Sequence, residues 1–156
     1  MDRTEVYRSP NLITMAFGEV YAFCITGSLA PDDLTSSMRA IKKYAKSQGA
    51  IYCMSISKAR VTLPDLRART VATELVKNPP ENQRAAAVCI DGSGFWASAA
   101  RSVATAILAP LSLPHPYRVF GEIDPALDWI GSMMDKPLDK AGLRLELLAL
   151  RDEVRL

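Results

Sequence analysis

The residues that could do chemistry are few, and the most suggestive are the glycine loop Gly92-Ser93-Gly94 and the helix that follows it. With Ala97 the loop matches the G-x-G-x-x-[GA] pattern, in which backbone N–H groups at a helix N-terminus bind a pyrophosphate. Two features argue against a dinucleotide. Asp91 places a carboxylate directly before the loop, and Pro114-His115-Pro116 stand where the ribose-binding acid is expected. We interpret the loop as a turn in which Ser93 or Asp91 caps the helix.

The remaining reactive side chains are scattered. His115 is the only histidine, and the nearest serine, Ser112, shares its proline-rich loop without a nucleophile-elbow motif. Cys24, Cys53 and Cys89 fall in apolar runs, and none forms a C-x-x-C pair, so we interpret them as buried thiols. The sequence therefore predicts no catalytic residue, no metal site and no cofactor, and the protein is not expected to be an enzyme.

Composition sets further bounds on the class of protein. The chain has 156 residues, 49% of them hydrophobic and 23% charged, which fits one globular domain. Its formal net charge of +2 does not indicate a nucleic-acid partner. The N-terminus lacks the apolar core of a secretory signal, and no run of about 18 apolar residues could span a membrane. We expect a cytoplasmic protein.

The elements that must position these residues begin with a hairpin. Two apolar runs, 12–17 and 20–26, flank Gly18-Glu19, which suits a type II′ turn, and residues 5–8 can add an edge strand. Pro31 with the acids after it predicts a helix start.

Strands and helices then alternate along the chain. Strands are expected at 50–56, 84–90 and 117–120, and helices from near Thr62, from 94 to 109 and from 124. Thr62 with Asp65 resembles a capping box, and Leu66 with Val71 begins a buried stripe that continues through Leu75 and Val76. The pattern predicts an α/β domain over 1–136. Its mixed sheet has four to five strands, parallel apart from the opening hairpin, with about four helices.

The tail, residues 137–156, differs in kind. Leu143, Leu147, Leu150 and Val154 recur on one side of a charged segment, which predicts an amphipathic helix. Its leucines must be covered, either by the chain's own domain or by a second chain.

Three stretches, "TGSLAPDDL", "AAAVCID" and "PYRVFGEIDPALDWI", resemble the SpoIIAA-like superfamily over about residues 10–132. This superfamily comprises STAS domains (anti-sigma-factor antagonists and their relatives) and SEC14-type lipid-binding domains. The resemblance implies a SpoIIAA-like (STAS) fold. STAS antagonists are switched by phosphorylation where the third strand meets the second helix. The matching stretch here, "SISKARVTLPDL", lacks their acid-Ser-Ser-Gly motif, and its candidate phospho-switch residues are Thr62 and Ser57.

These observations support two main hypotheses. The first is a non-enzymatic STAS-like regulatory module that binds another protein or a second copy of itself. Its expected contact surface is Ser93, Phe95 and Trp96 together with the tail leucines Leu147 and Leu150.

The second hypothesis is a SEC14-like carrier of a small apolar ligand or lipid, with the aromatic-led helix as the wall of a pocket and Leu111–Leu113 as its lid. An enzyme is a third hypothesis, and it would require Asp91, Ser93 or His115 to meet in space.

Overall fold

The fold is a single sheet with helices on both faces. The computed structural model describes residues 2–27, 30–58 and 65–153. The strands in these ranges are β1 (Thr4–Arg8), β2 (Leu12–Phe17), β3 (Val20–Ile25), β4 (Ile51–Lys58), β5 (Gln83–Asp91) and β6 (Tyr117–Phe120). The helices are α1 (Pro31–Ala45), α2 (Leu66–Lys77), α3 (Phe95–Leu108), α4 (Ile123–Met133) and α5 (Lys140–Glu153).

The sheet has the order β1-β2-β3-β4-β5-β6. β1, β2 and β3 pair antiparallel, whereas β3 to β6 pair parallel. This confirms the predicted α/β class with a mixed sheet that opens on a hairpin. The described residues form six strands rather than the predicted four to five, because residues 4–8 do form an edge strand. Gly18 has a φ of 64°, and no described residue other than glycine has a positive φ, which fits the predicted type II′ turn.

Strand alternation divides the core into two faces. Ala85, Ala87 and Cys89 of β5 lie on the face covered by α4 and α5, whereas Ala86 lies on the opposite face with α1. We call these the α4–α5 face and the α1–α2 face. β3, β4 and β5 are consecutive parallel neighbours, so right-handed crossovers place α1 and α2 on the same side.

The tail belongs to the α4–α5 face. Leu143, Leu147 and Leu150 of α5 are fully buried in the same core as Ile130 of α4. The expectation that Leu147 and Leu150 form a partner surface is therefore wrong. The amphipathic pattern is satisfied within the chain, and Leu145, on the other side of α5, is 67% exposed.

The second helix begins later than expected. α2 starts at Leu66, and the Asp65 side chain caps it by accepting a hydrogen bond from the Ala68 N–H at 2.8 Å. Thr62 lies outside the described residues. Leu66 is 79% exposed, so it does not belong to the buried stripe. No helix in the described ranges is long and apolar enough to cross a bilayer.

Candidate functional site

The glycine loop is closed by contacts within the chain. Gly92 and Gly94 have φ of 129° and 92°, values that favour glycine. Arg101 of α3 donates hydrogen bonds to the carbonyl oxygens of Ile90 at 3.1 Å and Gly92 at 3.0 Å. The helix N-cap is Gly94 and has no side-chain capping bond, so the prediction that Ser93 or Asp91 caps the helix is wrong.

Asp91 serves another purpose. Its carboxylate accepts a hydrogen bond from the Arg151 guanidinium of α5, and this ion pair joins the end of β5 to the last turn of the tail helix. The loop thus presents a carboxylate already paired to a cation, and Ser93 beside it is exposed.

Phe95 and Trp96 are both exposed, at 78% and 69%, with their rings edge to face at a centroid distance of 5.7 Å. Leu66 begins α2 as Phe95 begins α3. Because these helices follow the carboxyl ends of adjacent parallel strands, the three residues lie at one edge of the sheet. We call Leu66, Phe95 and Trp96 the carboxyl-edge residues.

The candidate phospho-switch and lid residues lie apart from one another. Ser57 is half-buried near the carboxyl end of β4, where it pairs in register with Ile25 and Ile90. Its phosphorylation stays a prediction. Leu111 is half-buried in the loop before β6 and does not line the cavity described below.

His115 lies at the opposite edge from Asp91. It contacts Gln83, the first residue of β5, whereas Asp91 is the last. Gln83 and Asp91 are eight residues apart in an extended strand, and at about 3.3 Å per residue the distance between them is about 26 Å. The structure therefore does not bring His115 together with Asp91 or Ser93.

A cavity of about 170 Å³ lies on the α1–α2 face, between the sheet and both helices. No charged side chain of the described chain lines it. The lining residues are Leu12, Tyr21, Phe23, Ile25, Leu34, Met38, Cys53, Ser55, Ala72, Leu75, Val76, Gln83, Ala86, Ala87, Val88 and Tyr117. The sequence analysis missed this site. The feature of the sequence that could have indicated it is a group of small side chains, Cys53, Ser55 and Ala86, in two predicted strands.

One end of the cavity carries a chain of hydrogen bonds. The Tyr21 hydroxyl donates to Oε1 of Gln83, and Nε2 of Gln83 donates to Nε2 of His115 at 2.7 Å. His115 Nδ1 in turn donates to the Pro116 carbonyl at 3.2 Å. Tyr117 stacks on the imidazole at 4.6 Å and donates to the Val76 carbonyl at 3.3 Å.

These polar groups are uncharged at neutral pH. Burial raises the pKa of the Cys53 thiol to about 12 and also raises the pKa values of Tyr21 and Tyr117. Burial lowers the pKa of His115, which favours the neutral imidazole that the Gln83 hydrogen bond requires. The cavity is thus apolar, with neutral hydrogen-bonding groups at one end.

The residues over 2–27, 30–58 and 65–153 contain no group of three His, Cys, Asp or Glu side chains placed to hold a metal ion. The three cysteines, Cys24, Cys53 and Cys89, are buried thiols that form no disulfide bond.

Comparisons with known proteins give a resemblance in fold. No family model matches the chain, and no curated protein matches it. A similar solved structure is the crystal structure of an uncharacterized protein of the DUF3478 family from Shewanella loihica PV-4, described as having a SpoIIAA-like fold. It is 17% identical, with a TM-score of 0.49, and the match covers 82% of this chain and 93% of that one. A SpoIIAA-like fold is also what the sequence led us to expect.

Proposed function

We propose that this protein is a non-enzymatic binding module that holds a small, neutral, apolar molecule in the cavity on the α1–α2 face. The observation that carries the proposal is the 170 Å³ volume, in which every lining residue of the described part of the chain is uncharged. An apolar cavity of about 150 Å³ is large enough to hold benzene, so this one has room for a single ring with a short substituent.

The energetics of packing favour an occupant. The cavity is partly open to solvent, and its apolar lining residues Phe23, Leu34 and Met38 are only half-buried, so a ligand that covers them gains roughly 25 cal/mol per Å² of apolar surface removed from water. Here the cavity lies beside strands whose other face packs tightly against α4 and α5. A ligand that fills the space would recover the contacts that the lining side chains lack.

Methyl NMR spectra recorded with and without ethylbenzene test this proposal directly. Saturating ethylbenzene should shift the methyl signals of Leu34, Leu75 and Val76, which line the cavity. The methyl signals of Ile130 and Leu143, buried on the α4–α5 face, serve as internal controls and should remain in place. No shift at the cavity methyls, or equal shifts on both faces, would contradict the proposal.

A second candidate function is protein interaction through the carboxyl-edge residues. Exposed aromatic side chains are enriched at interfaces, and Phe95 and Trp96 are two adjacent examples. The expected occupant is a second copy of the chain, which would make the protein a homodimer with a regulatory role. Cysteines that form no disulfide bond fit a reducing compartment, so we place either activity in the cytoplasm.

Sedimentation equilibrium tests self-association. The wild-type protein should show a dimer mass at high concentration, and the double variant Phe95→Ser/Trp96→Ser should remain a monomer. Leu145→Ser is the matched control, because Leu145 is also an exposed apolar residue but lies on α5. A wild-type monomer at every concentration would reject the homodimer.

A further inference from the structure

We propose that the ligand carries one hydroxyl group on its apolar body and that Ser55 binds this group. The inference rests on the proposed function of the cavity and names the chemical class of its ligand, a small phenol or alcohol.

The position of Ser55 supports this assignment. Ser55 lies in the middle of β4, in register with Phe23 of β3 and Val88 of β5, and all three residues line the cavity. It is only half-buried, and its side chain makes no hydrogen bond with the residues that the structure describes. Its hydroxyl therefore has a donor and two acceptor lone pairs available inside an otherwise apolar wall.

The other polar groups at the cavity already form hydrogen bonds within the protein. The Tyr21 hydroxyl hydrogen is donated to Gln83, and the Tyr117 hydrogen to the Val76 carbonyl. The Gln83 amide is held between Tyr21 and His115. Ser55 is thus the lining side chain whose hydroxyl can both donate to and accept from a ligand without breaking an existing bond.

The charge of the lining restricts the ligand further. A carboxylate or phosphate in this cavity would lose hydration without gaining a cation, because among residues 2–27, 30–58 and 65–153 no Lys, Arg or protonated His is a lining residue. A hydroxyl group needs only one or two hydrogen bonds to offset its desolvation. The ligand is therefore neutral, and this excludes fatty acids as well as anionic lipid headgroups from the cavity.

Calorimetric titration at pH 7.5 with three matched probes tests the inference: 4-ethylphenol, ethylbenzene and 4-ethylbenzoate. Wild-type protein should bind 4-ethylphenol about three- to tenfold more tightly than ethylbenzene, as expected for one net hydrogen bond. It should bind 4-ethylbenzoate most weakly. Ser55→Ala should remove the preference for 4-ethylphenol, because the phenol hydroxyl then loses its partner.

Ser57→Ala is the matched control. Ser57 lies two residues further along the same strand, on the same face, but does not line the cavity, so this variant should retain the preference. Equal affinity of the wild type for 4-ethylphenol and ethylbenzene would overturn the hydroxyl assignment and leave the proposed function intact. A preference that survives in Ser55→Ala, or tight binding of 4-ethylbenzoate, would overturn it as well. Binding of none of the three would overturn both proposals.

Discussion

The side-chain amide of Gln83 donates from Nε2 to Nε2 of His115 across 2.7 Å, at the polar end of the cavity. The imidazole accepts this bond only when Nε2 carries no proton, so the contact requires neutral histidine. Gln83 is itself buried and also holds the Tyr21 hydroxyl. Protonation of His115 would therefore break the Gln83–His115 hydrogen bond at the polar end of the cavity.

The first prediction concerns stability against pH. Because burial lowers the pKa of His115 below its ordinary value of 6.5, the unfolded chain binds the proton first as the pH falls. The free energy of unfolding is therefore highest above pH 6.5 and decreases as the pH falls towards and through the folded-state pKa. Urea unfolding between pH 7.5 and 5 should show a steeper loss for the wild type than for His115→Gln. Parallel curves would show that His115 contributes nothing to the pH dependence.

The second prediction concerns the tail helix. Leu147→Ala should lower the free energy of unfolding by about 2–5 kcal/mol, the usual cost of truncating a fully buried leucine. Leu145→Ala, on the exposed side of the same helix, should change it by less than about 0.5 kcal/mol. Chemical denaturation measures both. Similar small effects for the two variants would mean that α5 does not pack on the sheet.

A third prediction concerns the start of α2. Asp65→Ala should cost about 1 kcal/mol, because it removes the acceptor for the Ala68 N–H. Asp32→Ala is the control, since Asp32 is an exposed acid in the first turn of α1, a helix without a side-chain cap. The two variants are compared by thermal and urea unfolding, and equal losses would contradict the capping role of Asp65.

The fourth prediction concerns thiol chemistry. Cys24, Cys53 and Cys89 are buried, and burial raises the pKa values of Cys53 and Cys89 to about 12. Since the thiolate is the reactive form, the native protein should react negligibly with a disulfide reagent at pH 8. All three thiols should react once the protein is unfolded in denaturant. Rapid labelling of Cys53 in the native state would show that the cavity wall opens readily.

Much of the fold could be predicted from local patterns. The β2–β3 hairpin was identifiable from Gly18, and β5, which lies between β4 and β6, from the apolar run at 85–90. The leucine repeat of α5 correctly indicated an amphipathic helix, but it could not say which surface covers the leucines. That depends on the exposed area left by α4 and the sheet, which no local pattern encodes.

The candidate site was less accessible to sequence analysis. A cavity is the difference between the space enclosed by a sheet and two helices and the volume of their side chains, so it has no motif. The contacts that define its polar end join Tyr21, Gln83 and His115, which are far apart in the chain. The glycine loop, by contrast, was conspicuous in sequence, yet its carbonyls are bound by Arg101.

The most direct test of the central claim is to fill the cavity and measure binding. Val88→Phe places extra atoms in the cavity from β5, whereas Val119→Phe makes the same change at the residue paired with Val88 on β6, which does not line it. Circular dichroism would first establish that both variants fold. In calorimetric titrations with 4-ethylphenol, we predict one binding site in the wild type and in Val119→Phe, and none in Val88→Phe. Undiminished binding by Val88→Phe, or no binding by the wild type, would contradict the assignment of the cavity as the ligand site.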